Sequence, residues 1–314
     1  MKILSIVIPC YNEEKNVKPL YDEINLATKR LDTYKLEIIF VNDGSRDNTA
    51  GEIKKLADTD HRIVGLILSR NFGHQPASTA GIDYTTGDAV ILIDADLQDP
   101  PSAIVNMVKK WETGFDVVYG VRNSRKGESF LKKLTAKIFY RLIHFASNTN
   151  IPVDTGDFRL ISRRVVEALK QMPERSRFIR GMVSWTGFNQ TSIYYDRNPR
   201  YAGETNYTYR KMFRFAIDAI TSFSSAPLVM ATWVGIFISF FSFMFIAKLL
   251  FQKLTNTAYV VSGWTSMIVV TLFLGGVQLF FLGVIGEYLA RMFTEVKQRP
   301  IYLIQDIYGQ NKQS

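Results

Sequence analysis

The segment Ala89-Val-Ile-Leu-Ile-Asp-Ala-Asp-Leu-Gln-Asp-Pro-Pro101 decides the fold. An apolar, partly branched run stops at two carboxylates, Asp94 and Asp96, one residue apart. Such a run reads as a strand buried on both faces, the habit of parallel sheets. In open α/β sheets, ligands bind beyond the carboxyl ends of such strands. Two carboxylates at that place suit a hard divalent cation, and such cations usually share their shell with substrate phosphates. The expectation is a phosphate-bearing substrate held through a metal, with Gln98 offering a further neutral oxygen. Alone, an Asp-x-Asp pair also fits a helix cap or a surface loop.

The surrounding pattern supports the sheet. Apolar strands are expected at Ile3 to Pro9, Leu36 to Val41, Ile63 to Leu68, Ala89 to Ile93 and Val117 to Tyr119. Helical spacing separates them at Lys15 to Leu31, Asp47 to Ala57 and Gln75 to Tyr84. A further helix is expected to about Thr113, with Asp99 as cap and Pro101 at its first position. This β-α repetition predicts a mainly parallel sheet covered on both faces. Parallel strands would bring three polar loops to one edge: Pro9-Cys-Tyr-Asn-Glu13, Asn42-Asp-Gly-Ser45 and Asp94-Ala-Asp96. Asp43 is then a candidate acceptor for a nucleobase imide N–H, although Asn-Asp-Gly-Ser alone fits a simple turn.

The second half of the chain is different. No charged residue occurs between Asp218 and Lys248, or between Lys253 and Glu287. Each stretch exceeds the roughly 20 residues that cross a hydrocarbon core. Spans are expected at Leu228 to Phe251 and Gly263 to Ala290; the alternative is a pair of buried core helices. Arg210, Lys211 and Arg214 precede the first span, and Arg291, Lys297 and Arg299 follow the second. The positive-inside rule therefore places the N-terminal region and the C-terminal tail in the cytoplasm. Met1 to Pro9 is too short for the apolar core of a signal peptide, so none is expected.

Between sheet and spans, Lys126 to Asn148 carries Leu131, Leu134, Ile138, Leu142 and Phe145 on one helical face, beside a stripe of Lys133, Lys137 and Arg141. It reads either as a helix on a membrane surface or as a surface helix packed on the sheet. Tyr207 to Phe223 is similar. The expected organisation is a cytoplasmic catalytic domain (1–205), a juxtamembrane helix (206–226), a two-span hairpin (227–290) and a cytoplasmic tail (291–314). The net charge of +9 is better explained by an anionic lipid surface than by nucleic acid, because many of the basic residues flank the membrane segments. The single cysteine, Cys10, cannot form an intrachain disulfide and reads as an apolar filler.

Five segments together resemble a known family: Val7-Ile-Pro-Cys-Tyr-Asn-Glu13, Val41-Asn-Asp-Gly-Ser45, Arg70-Asn-Phe-Gly-His-Gln75, Asp94-Ala-Asp-Leu-Gln-Asp-Pro-Pro101 and Gly156-Asp-Phe-Arg-Leu160. The chain resembles the family 2 glycosyltransferases with the Rossmann-like glycosyltransferase-A fold. More narrowly it is similar to the polyprenyl-phosphate enzymes, the bactoprenol glucosyltransferases and relatives of dolichol-phosphate mannose synthase. The resemblance implies that Pro9, Tyr11, Glu13, Asp43 and Gly73 meet the nucleotide sugar. It implies that Asp94, Asp96 and Gln98 place a magnesium or manganese ion and the diphosphate. Arg200 would lie on a loop closing over that diphosphate, and Arg122 and Arg125 would meet the acceptor phosphate, unless they are solvated surface arginines. Asp157 would be essential.

The chemistry of Asp157 stays open between base and orienting group. A hydroxyl acceptor needs a base, whereas a phosphate monoester with a second pKa of about 6 is already largely a dianion. The expected partners are a UDP-sugar, a polyprenyl phosphate and the inner membrane, with homo-oligomerisation left open. Two alternatives stand beside this reading. One is a glycan-extending transferase, although the Gln-x-x-Arg-Trp segment of processive relatives is missing. The other is a catalytically silent nucleotide-sugar-binding scaffold.

Overall fold

A computed structural model describes residues 1–123, 155–198, 226–255 and 263–309. Its N-terminal part alternates strand and helix: β1 (Ile3–Cys10), α1 (Glu14–Thr28), β2 (Lys35–Asn42), α2 (Thr49–Thr59), β3 (Ile63–Leu68), α3 (His74–Tyr84) and β4 (Ala89–Leu92). A 3-10 turn (Pro101–Ala103), α4 (Ile104–Glu112) and β5 (Val117–Arg122) follow. Next come β6 (Thr155–Ser162), α5 (Arg163–Gln171), α6 (Ile179–Trp185) and β7 (Gln190–Tyr195). Two long helices, α7 (Ala226–Leu254) and α8 (Trp264–Val296), lead to a last strand, β8 (Ile304–Tyr308).

The eight strands form one sheet in the order β7-β5-β6-β4-β1-β2-β3-β8. Strands β1 to β4 are mutually parallel, as expected, so the loops after Cys10, Asn42 and Leu92 share one edge. The sheet is mixed beyond them: β6 is antiparallel to both β4 and β5, while β7 runs parallel to β5. Alternation along the strands divides the core. Leu4, Ile6, Ile8, Ile38 and Phe40 face α1, α2 and α4. Val7, Ile39 and Val41 face α3, α5 and α6. Burial on both faces is why these strands are nearly continuous in apolar residues.

Asp99 does not cap the following helix. No side chain caps the 3-10 turn, and Pro101 sits in its first positions. Asp99 is buried and turned instead toward Tyr195, because a buried carboxylate requires a donor more than an exposed helix end requires a cap.

The C-terminal segment joins the catalytic sheet as an edge strand. β8 pairs antiparallel with β3, Leu66 opposite Ile307. The Ser69 N–H donates to the Leu303 carbonyl (2.9 Å), and the Tyr302 hydroxyl donates to Asp83 (3.1 Å). The end of α8 is tied down as well, its Glu295 carboxylate accepting the Arg175 and Ser176 N–H groups at 2.9–3.1 Å. Among the described residues, Phe273–Val296 is the one helix long and apolar enough to cross a membrane. It begins later than the expected second span. Within α7 the described apolar stretch, Ala231–Phe245, is shorter. The expected amphipathic helices at 126–148 and 207–223 lie outside the described residues.

One glycine fixes the spacing of the edge loops. Gly44 has φ +60, and a Cβ there would lie 2.3 Å from the backbone carbon of Arg70. Only glycine accepts both the left-handed backbone and this contact. Gly44→Ala is expected to cost about 2–4 kcal/mol, combining backbone strain with overpacking. Thermal melting in detergent would show it; an unchanged melting temperature would refute the tight crossing.

Candidate active site

Two loops at the carboxyl edge are latched together. Asn12, itself left-handed at φ 57, donates its N–H to Ser45 Oγ (2.9 Å) and accepts the Arg46 N–H (2.9 Å). The Glu13 N–H donates to Thr49 Oγ1 at 2.9 Å. Tyr11 stands 38% exposed beside this latch, while Pro9 is buried within β1 opposite Val41. The Cys10 thiol is buried, and its pKa is pushed up by burial and by Glu13, Asp47 and Asp94. It is the inert filler expected of it.

Asp43 has a partner set that the sequence did not reveal. Its carboxylate accepts the Phe72 N–H (2.7 Å) and the Gly73 N–H (2.9 Å). Burial pushes its pKa up against those two bonds. Asp43 thereby staples the loop that leads into α3, with Gly73 at φ 107 immediately before the helix. Each carboxylate oxygen has more than one acceptor position, so this does not use up Asp43 toward a nucleobase.

Asp94 and Asp96 stand just past β4. Asp96 is nearly buried and accepts the Gln98 N–H at 3.1 Å. Between them and Gln98 the chain turns through Leu97 at φ 60. A leucine in that region is strained, the kind of outlier that clusters at functional sites. Gln98 turns its side-chain oxygen to Arg197 Nη2 (2.5 Å), and its carbonyl accepts the Asn198 N–H (3.0 Å).

Asp157, on β6, is surrounded by donors. His74 Nε2 lies 3.2 Å from its Oδ2 and 3.7 Å from Asp94 Oδ1. Gln75 Nε2 reaches Oδ2 at 3.3 Å, and Arg180 Nη2 reaches Oδ1 at 3.3 Å. Gln75 also accepts the Ile179 N–H (2.8 Å), which fixes the start of α6 and with it Arg180. Burial would raise the Asp157 pKa. The His74 hydrogen bond and the charges of Arg180 and Arg159 outweigh it and hold the carboxyl far below the usual range. Conversely, burial would lower His74, but Asp157, Asp94 and Asp43 push it up to about 9.

Arg122 ends β5, directly beside Gly156. A Cβ on Gly156 would sit 3.0 Å from Arg122 Nη2. Arg122 and Gly156 thus share one face of the neighbouring strands β5 and β6, while Asp157, the next residue on β6, meets His74, Gln75 and Arg180. Arg125 and Arg200 lie outside the described residues. Gln75, Arg159, Arg180, Tyr195 and Arg197 were not singled out from sequence. Of these, Gln75 and Arg159 had a signal, their places in the Arg70 to Gln75 and Gly156 to Leu160 segments.

The residues fit a divalent metal. Asp94 is raised to about 6, by burial first and then by Asp157, Asp99 and Asp96, with His74 pulling the other way. Such crowding of carboxylates is relieved by a cation, and an all-oxygen donor set suits a hard one. Among the described residues, no group of three His, Cys, Asp or Glu side chains converges in metal-holding geometry. Asp94 and Asp96 would hold such an ion, as magnesium sites commonly use one or two carboxylates beside substrate oxygens and water.

Comparison with known proteins shows the family. A glycosyltransferase from Synechocystis sp. is 49% identical over 98% of this chain and 96% of its own. The bactoprenol glucosyl transferase of Shigella phage SfX is 43% identical over 97% of this chain and 99% of its own. Among solved structures, glucosyl-3-phosphoglycerate synthase from Mycobacterium tuberculosis aligns with TM-score 0.46 at 18% identity, covering 70% of this chain and 78% of that one. Residues 5–170 match the pattern of "Glycosyl transferase family 2". With that match and these full-length relatives, the chain belongs to glycosyl transferase family 2.

Proposed function

We propose that this enzyme transfers glucose from UDP-glucose to a polyprenyl phosphate, undecaprenyl phosphate, at the cytoplasmic face of the inner membrane. The observation that carries the reading is the pairing of two carboxylates just past β4, Asp94 and Asp96, with an arginine, Arg122, that ends β5 beside Gly156 and Asp99. One side suits a metal-bound diphosphate and the other an anionic acceptor. The name of the phage relative, a bactoprenol glucosyl transferase, supports the same substrates.

An acceptor phosphate oxygen attacks the anomeric carbon. The bond from that carbon to the UDP oxygen breaks, and UDP leaves with the electron pair. One displacement inverts the centre, giving a β-linked product from an α-linked donor. Asp94 and Asp96 would hold a magnesium or manganese ion, whose charge favours departure of the diphosphate. Pro9, Tyr11, Glu13, Asp43 and Gly73 frame the nucleotide-sugar subsite, with Gln98 beside the metal carboxylates. By resemblance to the family, Arg200 would meet the diphosphate, and Arg122 and Arg125 the acceptor phosphate. Asp157 orients rather than deprotonates, because its carboxylate oxygens are already engaged by His74, Gln75 and Arg180.

A two-span hairpin built from α7 and α8 anchors the domain. Both helices turn phenylalanines outward, among them Phe237, Phe240 and Phe280, as lipid-facing helices do. The pairing of β8 with β3 supports an even number of crossings, since the residues before and after the helices share one sheet. In this reading the catalytic domain and the C-terminal strand lie together on the cytoplasmic side, the orientation that the basic residues flanking the two spans favour.

The test combines purified full-length protein, UDP-glucose, manganese or magnesium, and undecaprenyl phosphate. Glucosyl-phosphoryl-undecaprenol should appear by mass spectrometry with release of UDP. UDP release with a free sugar acceptor, and none with the lipid, would sink the lipid-acceptor reading.

A further inference from the structure

Resting on the reading of Arg122 as an acceptor-phosphate residue, we infer that Asp99 and Tyr195 form a buried brace that aims Arg122 at the lipid phosphate, making both of them positioning residues for the acceptor.

The geometry is a closed triangle. The Tyr195 hydroxyl donates to Asp99 Oδ1. Arg122 Nε donates to the same hydroxyl at 3.4 Å, and Arg122 Nη2 lies 3.8 Å from Asp99 Oδ1. Asp99 is 1% exposed and Tyr195 5%, whereas the Arg122 side chain keeps 24% of its surface. The anchor is inside and the cation reaches the edge. Tyr195 is seated independently of its hydroxyl, because its ring packs edge-on against Phe158 at 5.6 Å between centroids.

Two glycines shape the slot. A Cβ on Gly120 would lie 2.6 Å from Tyr195 Cε1, and one on Gly156 would lie 3.0 Å from Arg122 Nη2. In the parallel register Arg122 pairs with Tyr195, so both side chains leave the same face of adjacent strands. Sheet register, ring packing and absent Cβ atoms all act to hold one guanidinium.

A structural purpose alone does not account for the carboxylate. Asp99 caps no helix, and burying an ion is costly unless charged or polar partners compensate. Its partners are the Tyr195 hydroxyl and the Arg122 guanidinium. A guanidinium offers five N–H donors in a fixed plane. With Nε directed to Tyr195 and Nη2 toward Asp99, the plane is set, and the outer N–H groups can meet phosphate oxygens as a fork. Preset orientation lowers the ordering cost when a ligand arrives. A lysine cannot be braced this way.

The experiment measures KM separately for undecaprenyl phosphate and UDP-glucose in full-length Tyr195→Phe, Asp99→Asn, Arg122→Lys and the double variant Arg122→Lys/Tyr195→Phe. Tyr195→Phe is expected to raise the KM for the lipid phosphate about tenfold, the size of one lost hydrogen bond to a charged group. The KM for UDP-glucose should stay within about twofold. The double variant should be no worse than Arg122→Lys alone, since residues acting through one another are not additive. Equal loss for both substrates, additive loss in the double variant, or no change in Tyr195→Phe would overturn the brace. Should Tyr195→Phe fold poorly, the near-isosteric Asp99→Asn carries the same expectation. Failure of the underlying reading looks different: the wild type would then ignore undecaprenyl phosphate altogether. An unchanged lipid KM in Arg122→Lys, with the wild type active on the lipid, would remove Arg122 and the brace with it.

Discussion

Asp96→Ala is expected to lower glucosyl transfer by about 10³-fold or more while leaving the fold intact. The loss follows from charge. Departure of UDP places negative charge on the diphosphate, and fixed countercharge at that position is typically the largest part of such catalysis, about 10²–10³ for a single donor. Asp96 would be one of two protein ligands to the ion supplying that charge. Its own carboxylate is held by the Gln98 N–H at 3.1 Å, so no neighbour can swing into its place. The fold should tolerate the change because the edge is overloaded with acid. Asp96 is among the carboxylates that, after burial, push Asp94 up to about 6. Its removal relieves repulsion, so the melting temperature without metal should hold or rise. Calorimetric titration of UDP-glucose with manganese should show affinity reduced to the metal-free level. Retained transfer, or a collapse in melting temperature without metal, would refute the metal-ligand role.

How far the sequence could foresee this site depends on the range of the interactions involved. The run ending at Asp94 was legible because burial on both faces leaves a local signature, continuous apolar residues over β4. The shared edge of β1, β2 and β4 followed from the β-α rhythm. The antiparallel β6 was not legible as a strand. Its sequence Thr155–Ser162 is interrupted by Asp157 and Arg159, and both charges become tolerable only through partners elsewhere in the chain. Arg180 gave no signal either. It is placed by Gln75, far away in sequence, which bonds the first N–H of α6. The tail read as a cytoplasmic extension supplies the eighth strand, because an edge strand needs only a partner's free backbone groups, and β3 offers them. Asp99 was placed in the wrong role for the same reason. Its local context suggested a cap, whereas its buried partner is the distant Tyr195.

Asp157→Asn is expected to reduce kcat by about 10²-fold, within the range of one oriented group near the reacting centre, without removing the acidic limb of the pH profile. If Asp157 were the base, its protonation would set that limb, and the asparagine variant would lose it. The geometry argues otherwise. Asp157 accepts from His74, Gln75 and Arg180 together; burial would raise its pKa, but the His74 bond and the charges of Arg180, His74 and Arg159 outweigh it and hold the carboxyl far below the usual range. A carboxyl held that low is poorly matched, as a base, to a proton transfer near neutral pH. Groups other than Asp157 titrate on the acidic side of the working range: the acceptor, whose second phosphate pKa is about 6, and Asp94, raised to about 6 chiefly by burial. The profile of kcat/KM for the lipid phosphate should bend near that pH in both wild type and variant, since it reports the free enzyme and free substrate. What the asparagine loses is orientation. It presents one acceptor oxygen where the carboxylate presents two, so His74 and Arg180 cannot both be held. A variant profile that is flat across the acidic range, with the wild type bent, would make Asp157 the base after all.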